Sequence, residues 1–333
     1  MVLFDRIAFH NVYELTQEGA LPGWAMRRFP ERARNSVNHD AADFCRGVEL
    51  RFCLEKPRRS LNGTVYLMAR GCDGEATVFY GDYQQPEAVP LPKGVITPVT
   101  IRYDTPIDGL PPGRFANDVR RICITSRTAV NYVGREALNC RPPRGKELPR
   151  RTLVGYGSSI TNGGLARSCC NSYLHLTARA LGMDALNLGL SGSCMATREM
   201  ADFMACEVAG DVFFLELGAN MLGSFSAEEY RERVRYTTET VARGHPHQPV
   251  YVTALYPSIQ APERNGAYAR ALHEAVEALR LPNLLELDAW ALLPTFDALT
   301  TDGVHPSDWG HMLIASRLSE RLRKDEAAGK WNG

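Results

Sequence analysis

The sequence predicts two unlike halves: an antiparallel β-sandwich (jelly-roll) domain over residues 1–140, then an α/β domain with a parallel sheet over residues 152–333. Three observations carry this. Across residues 48–126 apolar side chains recur at every second position between turn signals, the pattern of short, half-buried strands. After Arg151, apolar runs alternate with stretches of helical spacing, as in the strand–helix–strand units that build parallel sheets. Between them residues 141–151, RPPRGKELPRR, are dense in proline and charge and read as a linker. At 333 residues the chain also exceeds the roughly 250–300 that one core usually holds.

Each element has its own signal. In GVELRFCLE, Val48, Leu50, Phe52 and Leu54 share one face, and Glu49 and Arg51 the other. GTVYLMAR, EATVFYGDY, TPVTIRY and VRRICIT continue the alternation, with turns at Leu61-Asn62-Gly63 and Cys72-Asp73-Gly74. In the second half RTLVGYG is an apolar strand that stops at glycine. NSYLHLTARALG sets Leu174, Ala178 and Leu181 at helical spacing, with Gly182 as the stop. DALNLGLSG is a second strand, and REMADFMACE, with Met200, Phe203 and Met204 in register, a second helix. DVFFLELG is apolar nearly throughout, as a strand covered on both faces should be. Ser226 and Glu229 form a capping box that opens a long helix in SAEEYRERVRYTTETVARG. PVYVTALYP is a fourth strand; a helix over residues 268–279, a short strand at LLELD and a final helix from Ser307 follow.

Composition narrows the function classes. Lys and Arg total 38 and so do Asp and Glu, so nothing suggests a nucleic-acid or membrane-surface partner. The opening MVLFDRIAFHNVYELTQEG has polar residues every few positions and no signal-peptide core, and no run approaches the ~18 apolar residues of a membrane span. Nine scattered cysteines, an odd number without a CxxC pair, read as reduced thiols in a cytoplasmic protein.

Suggestive residues of the second half fall just past strand ends, the edge where open α/β sheets bind ligands. The first stretch is LVGYGSSITNGG, residues 153–164. It has no lysine for a P-loop, Ile160 where a dinucleotide fingerprint wants glycine, and Thr161 where a Gly-x-Ser-x-Gly elbow wants its last glycine. A serine exposed on the turn and an ordinary Ser/Gly loop both remain. The second is Asn187-Leu188-Gly189-Leu190-Ser191-Gly192-Ser193, a tight turn or a place where a backbone N–H can face a ligand. The third is Leu217-Gly218-Ala219-Asn220, whose asparagine could cap a helix or donate its amide to an oxyanion. In the fourth, Asp302-Gly303-Val304-His305, the spacing lets a carboxylate hold an imidazole.

Taken together, the four blocks resemble the SGNH (GDSL-type) hydrolase family over residues 151–322. Gly157-Ser158-Ser159-Ile160-Thr161 is similar to the Gly-Asp-Ser-Ile/Leu block, which puts the nucleophile on Ser159. Gly192 matches the glycine block, Gly218-Ala219-Asn220 matches Gly-x-Asn, and Asp302 to His305 matches Asp-x-x-His. The resemblance implies a flavodoxin-like three-layer fold, and with the preceding sandwich it looks like two-domain carbohydrate esterases. Two positions depart: Ser158 replaces the aspartate before the nucleophile, and Met221 stands where many members have aspartate.

What the resemblance implies is a serine esterase acting on small O-acyl, above all O-acetyl, esters of sugars or oligosaccharides through an acyl-serine. Ser159, His305 and Asp302 would be nucleophile, base and orienting acid, with Ser159, Gly192 and Asn220 as the oxyanion hole. No metal or cofactor is required. Its rivals are a lysophospholipase or thioesterase with longer acyl substrates, and a silent carbohydrate-binding protein on the same scaffold. Self-association is left open. Other residues read blandly: His245-Pro246-His247 as a surface loop, His311 as structural, Cys169, Cys170 and Cys194 as small core residues, and Arg27-Arg28 to Arg34 as a solvated face. Trp24, Trp290 and Trp309 could stack on a sugar but read first as core.

Overall fold

The computed structural model describes residues 1–55, 62–103, 107, 109–260 and 262–331. Its contacts gather into two compact units, residues 1–30 with 42–150 and residues 31–41 with 151–333. Of the expected turn at Leu61-Asn62-Gly63, Leu61 lies outside the described residues, and Asn62 and Gly63 already belong to a strand.

The first unit holds two antiparallel sheets. Strands Val2–Phe4, Ile7–His10, Glu49–Leu54, Val119–Ile124, Gly74–Tyr80 and Tyr83–Gln84 run in that hydrogen-bonded order; Cys140–Arg141 adds beside the third and Val89–Leu91 beside the fifth. The second sheet runs Ile96–Arg102, Asn62–Ala69, Val130–Glu136, Trp24–Arg27 and Glu14–Thr16. The period-two apolar sets meet in one core, where Leu50, Phe52, Val78 and Ile122 from the first sheet join Val65, Leu67, Val99 and Tyr132 from the second.

The polar face of the first sheet is covered too. Glu49 is 2% and Arg51 1% exposed. Glu49 Oε2 accepts Arg51 Nε at 2.7 Å and Arg121 Nε at 2.8 Å, and both guanidinium groups lie on the Phe115 ring, 5.0 and 4.1 Å from its centroid. Burial pushes the Glu49 carboxyl up, but the charges of Arg121 and Arg51 overcome it and hold the group well below its ordinary range. The expected solvated basic face is corrected in the same way: Arg27 and Arg28 are buried, with Arg27 paired to Glu18 and Asp43. Alternation reports which face a residue is on; it carries no information about what covers that face.

In the second unit five strands, β1 (Thr152–Tyr156), β2 (Asp184–Asn187), β3 (Val212–Glu216), β4 (Val250–Thr253) and β5 (Leu284–Glu286), form a parallel sheet in the order β2-β1-β3-β4-β5. This is the flavodoxin-like order, with its switch point between β1 and β3. After residue 150 the α-helices are α1 (Ser159–Asn162), α2 (Tyr173–Ala180), α3 (Arg198–Glu207), α4 (Ala227–Gly244), α5 (Pro262–Leu279), α6 (Ala289–Leu292) and α7 (Asp308–Ala327). Tyr173, Leu174 and Ala178 of α2 and Ile314, Leu318 and Leu322 of α7 share a core with Leu153, Val212 and Phe214 of the sheet. Phe213, on the opposite sheet face, stacks on His245 at the end of α4, with centroids 4.1 Å apart.

Local signals explain the boundaries. Ser226 and Glu229 make both bonds of the capping box, at 3.2 and 2.8 Å. Ser307 caps α7, and Gly182, at φ +67°, ends α2. Helix α5 begins at Pro262, six residues before the expected 268, because proline's missing N–H costs nothing in a first turn. Residues 31–41 join this unit through specific bonds: Arg32 pairs with Glu207, Ser36 Oγ lies 2.9 Å from Thr197 Oγ1, and Ser193 Oγ accepts the Asn38 N–H at 2.8 Å. Among the described residues no helix is long and apolar enough to cross a membrane.

Glu49 pairs with two buried guanidinium groups at once. Glu49→Ala is therefore expected to lower unfolding stability by about 3–5 kcal/mol, the usual cost of breaking a buried ion pair. Urea denaturation measures it, and a loss below about 1 kcal/mol, the ceiling for exposed pairs, would contradict this view of the network.

Candidate active site

The turn after β1 is built around a serine cap. Ser158 has extended backbone angles, and its Oγ accepts the Ile160 N–H at 3.1 Å, so Ser159 is the first residue of α1. Gly163, at φ +85°, closes the same short helix. The neighbouring turn after β2 is laced to it. Gly155 and Gly157 carbonyls accept the Leu188 and Leu190 N–H at 2.7 and 2.8 Å. Asn187 Nδ2 donates to Thr161 O at 2.9 Å, and Asn162 Nδ2 to Gly189 O at 3.1 Å.

The structure brings together three residues from distant parts of the unit. Ser159 Oγ lies 2.7 Å from His305 Nε2, and His305 Nδ1 lies 2.6 Å from Asp302 Oδ2. A carboxylate facing Nδ1 fixes the proton there and leaves Nε2 as an acceptor for the serine hydroxyl. Asp302 is itself held: its Oδ1 accepts the Val304 and His305 N–H at 2.9 and 3.0 Å and the Thr300 hydroxyl at 2.8 Å. Burial works to raise its pKa, but these N–H and side-chain donors outweigh it and keep Asp302 below the usual carboxylate range. The Asp302–His305 loop is anchored on its outer side by the Ile259 N–H, which Gly303 O accepts at 3.0 Å.

Gly192 and Asn220 sit on the loops that follow β2 and β3. Gly192 has φ +71°, a conformation glycine adopts without strain. Asn220 is not a helix cap, since Ser226 caps the next helix. Its Oδ1 accepts the Cys194 N–H at 3.0 Å. The backbone donor fixes which way the amide faces and leaves Nδ2 as the group able to donate elsewhere. The set can therefore offer a nucleophilic hydroxyl, a base with its orienting acid, and donors for a developing oxyanion.

One residue escaped the sequence reading. Glu216, the last residue of β3, is fully buried beneath the turn. Its Oε2 accepts the Ser158 N–H at 2.8 Å, the Ser158 hydroxyl at 2.7 Å and the Thr161 hydroxyl at 3.1 Å. Thr161 Oγ1 in turn lies 2.6 Å from Tyr173 OH. A Cβ on Gly157 would lie 2.6 Å from Glu216 Oε2, so the glycine is what lets the carboxyl approach. The available signal was the single carboxylate in the otherwise apolar run VFFLELG, residues 212–218. Burial raises the Glu216 pKa from 4.5 to about 7, against hydrogen bonds from Ser158 and Thr161 that pull it down.

The bland readings divide. His245 Nε2 lies 2.9 Å from Met204 O, and His311 is fully buried with its Nδ1 accepting the Tyr173 N–H at 3.3 Å. Cys169, Cys194 and Met221 are core residues. Trp290 and Trp309, expected in the core, are each 50% exposed. Trp290 meets Phe296 edge to face, 5.4 Å between centroids. Trp290 and Phe296 line a groove of ≈ 470 Å³ past the ends of β4 and β5, together with Ser258, Asn265, His273 and Glu286.

The sequence model of the GDSL-like lipase/acylhydrolase family matches residues 150–323. No curated protein matches the chain in sequence. Among solved structures it is similar to a salicylyl-acyltransferase from a tetracycline biosynthetic pathway, at 18% identity and TM-score 0.77 over 97% of this chain and 95% of that one. It is also similar to a family two carbohydrate esterase from Cellvibrio japonicus, at 14% identity and TM-score 0.65 over 96% and 95%. An acetyl xylan esterase from the rumen bacterium Butyrivibrio proteoclasticus matches at 13% identity and TM-score 0.63 over 98% and 97%. At these identities the likeness is one of fold, and it spans both halves of the chain.

A carboxyl whose pKa is raised by folding favours the protonated folded state. Glu216 therefore supports the fold fully below its ordinary value of 4.5, and that support is lost as pH rises toward about 7. The urea midpoint of the natural chain should fall relative to Glu216→Gln across this interval and run parallel to it above about 7. Midpoints that run parallel throughout would mean Glu216 titrates in the ordinary carboxylate range.

Proposed function

The chain belongs to the GDSL-like lipase/acylhydrolase family, and from that premise we propose that it is a serine esterase that removes small acyl groups, above all acetyl, from sugars or oligosaccharides. The observation that carries the reading is the Ser159 hydroxyl 2.7 Å from His305 Nε2, with Asp302 behind the imidazole. Ser159 Oγ attacks the ester carbonyl as its proton passes to His305 Nε2. The tetrahedral oxyanion takes hydrogen bonds from the Ser159 and Gly192 N–H groups and Asn220 Nδ2. His305 then returns the proton to the departing alcohol, leaving an acyl-serine. Water, deprotonated by the same imidazole, releases the acid and frees Ser159. Asp302 steadies the imidazolium in both halves of the cycle. The cycle uses no metal or cofactor.

The sugar part of the proposal draws on two supports. The two-part architecture is similar to that of carbohydrate esterases along nearly its whole length. The groove past β4 and β5 offers the half-exposed faces of Trp290 and Phe296 beside Ser258, Asn265 and Glu286 of β5, a mixture of ring and polar groups suited to a sugar. Nine free cysteines are consistent with the cytoplasmic placement proposed here. The formed Ser159–His305–Asp302 set speaks against a silent binding protein.

Acetyl esters are expected to exceed octanoyl esters in kcat/KM, measured with the p-nitrophenyl series. A tenfold or greater preference for octanoyl, about 1.4 kcal/mol of transition-state discrimination, would replace this reading with the lipase one. Mass spectrometry of acetylated oligosaccharides before and after treatment identifies the sugar.

Asn220→Ala should keep a near-normal melting temperature but lose roughly 10²–10³ in kcat, the usual cost of one oxyanion donor. Normal kcat in the folded variant would remove Asn220 from the oxyanion hole.

A further inference from the structure

We propose that Glu216 is the positioning residue of the nucleophile turn, its buried carboxylate doing from β3 what no charged group on the turn itself can do. The inference rests on the reading of Ser159 as nucleophile. The turn carries Ser158 where the GDSL-type block has aspartate, so it has no carboxylate of its own. The carboxylate instead reaches it from below, through a gap that Gly157 leaves open.

The contacts bracket Ser159. On one side, Glu216 Oε2 holds the Ser158 N–H and hydroxyl, and that same hydroxyl accepts the Ile160 N–H. On the other, it holds Thr161, whose hydroxyl also meets Tyr173 on α2. Ser158, the cap just before the nucleophile, and Thr161, two residues after it, are thus tied to one oxygen atom. Among the described residues the Glu216 carboxyl bonds Ser158 and Thr161 and neither Ser159 Oγ nor His305, so its action is through the turn.

A purely structural role fits the surroundings poorly. Glu216 Oε1 is buried with no hydrogen-bond partner among the described residues. The groups acting on the carboxyl are hydroxyls and backbone amides rather than cations. Such a carboxylate is costly to bury, and a neutral side chain of the same shape would avoid the cost. The titratable groups facing it are Tyr156 on β1, Tyr173 on α2, Cys194 after β2, Tyr230 on α4 and Tyr256 after β4. Burial pushes all five up, so each stays neutral near pH 7, where Glu216 changes charge.

The ionised carboxylate is the better acceptor for three donors. Loss of this acceptor should therefore loosen the turn and show in kcat rather than in KM.

The test is p-nitrophenyl acetate hydrolysis by the full chain and two folded variants, with circular dichroism to check folding. Glu216→Leu removes the acceptor and should lower kcat at pH 8 about tenfold or more with KM changed less than about threefold, as expected of a misplaced nucleophile. Glu216→Gln keeps an acceptor in place and should recover most of that loss, with KM again changed less than about threefold. A folded Glu216→Leu enzyme with kcat within about twofold of the natural chain overturns the proposal, as does a folded Glu216→Gln enzyme that loses as much as the leucine variant. If the leucine variant does not fold, Thr161→Val, which removes one of the three donors, takes its place: it should lower kcat about threefold or more, and an unchanged kcat overturns the proposal. Hydrolysis that persists in Ser159→Ala would overturn the nucleophile assignment instead; Ser159-dependent hydrolysis indifferent to Glu216 overturns only this inference.

Discussion

At the end of β3 a single carboxylate oxygen, Glu216 Oε2, takes three hydrogen bonds from the turn that follows β1. The contact crosses from the third strand in sequence to the first, and it is possible because β1 and β3 are neighbours in the sheet. It also requires Gly157, since any side chain there would occupy the carboxyl's place. Ser158, which caps α1 just before Ser159, and Thr161, two residues after it, are both held by this oxygen.

The rest of the site depends on the same economy of a parallel sheet, which delivers every strand end to one edge. Loops after β1 and β2 are joined by Asn162, Asn187 and backbone bonds, which tie the turn that carries Ser159 to the stretch that leads into Gly192. The loop after β3 is joined to the loop after β2 where Asn220 Oδ1 accepts the Cys194 N–H. The final loop is held by four bonds to Asp302 and one from Ile259. In this account rate enhancement comes from donors already aimed before substrate arrives, since reorganising them would cost part of the gain.

How much of this was legible in the sequence depends on range. Period-two runs, the Ser226–Glu229 box and the Ser307 start are local, and they appear where the residues place them. The four blocks were legible as a set because their residue types and order are informative even though each alone is common. The early strands of the first unit were not, because Val2–Phe4 and Ile7–His10 are too short for a period to register. Nor was the attachment of residues 31–41 to the second unit, which rests on Ser36 and Asn38 meeting residues more than 150 positions away. Burial of Glu49, Arg51 and Arg27 was hidden because charge pairing, not hydropathy, lets them sit inside. Glu216 was hidden for the same reason: a strand pattern records one polar residue in an apolar run but not which turn it will hold.

In the proposed mechanism the Ser159 hydroxyl, and not that of its neighbour, forms the covalent bond. Reaction of the folded chain with a p-nitrophenyl alkylphosphonate, followed by proteolysis and mass spectrometry of the labelled peptide, tests this. One adduct is expected, on Ser159, formed as esterase activity disappears and absent from Ser159→Ala. An adduct on Ser158 with Ser159 unmodified, or full loss of activity with neither serine labelled, would contradict it.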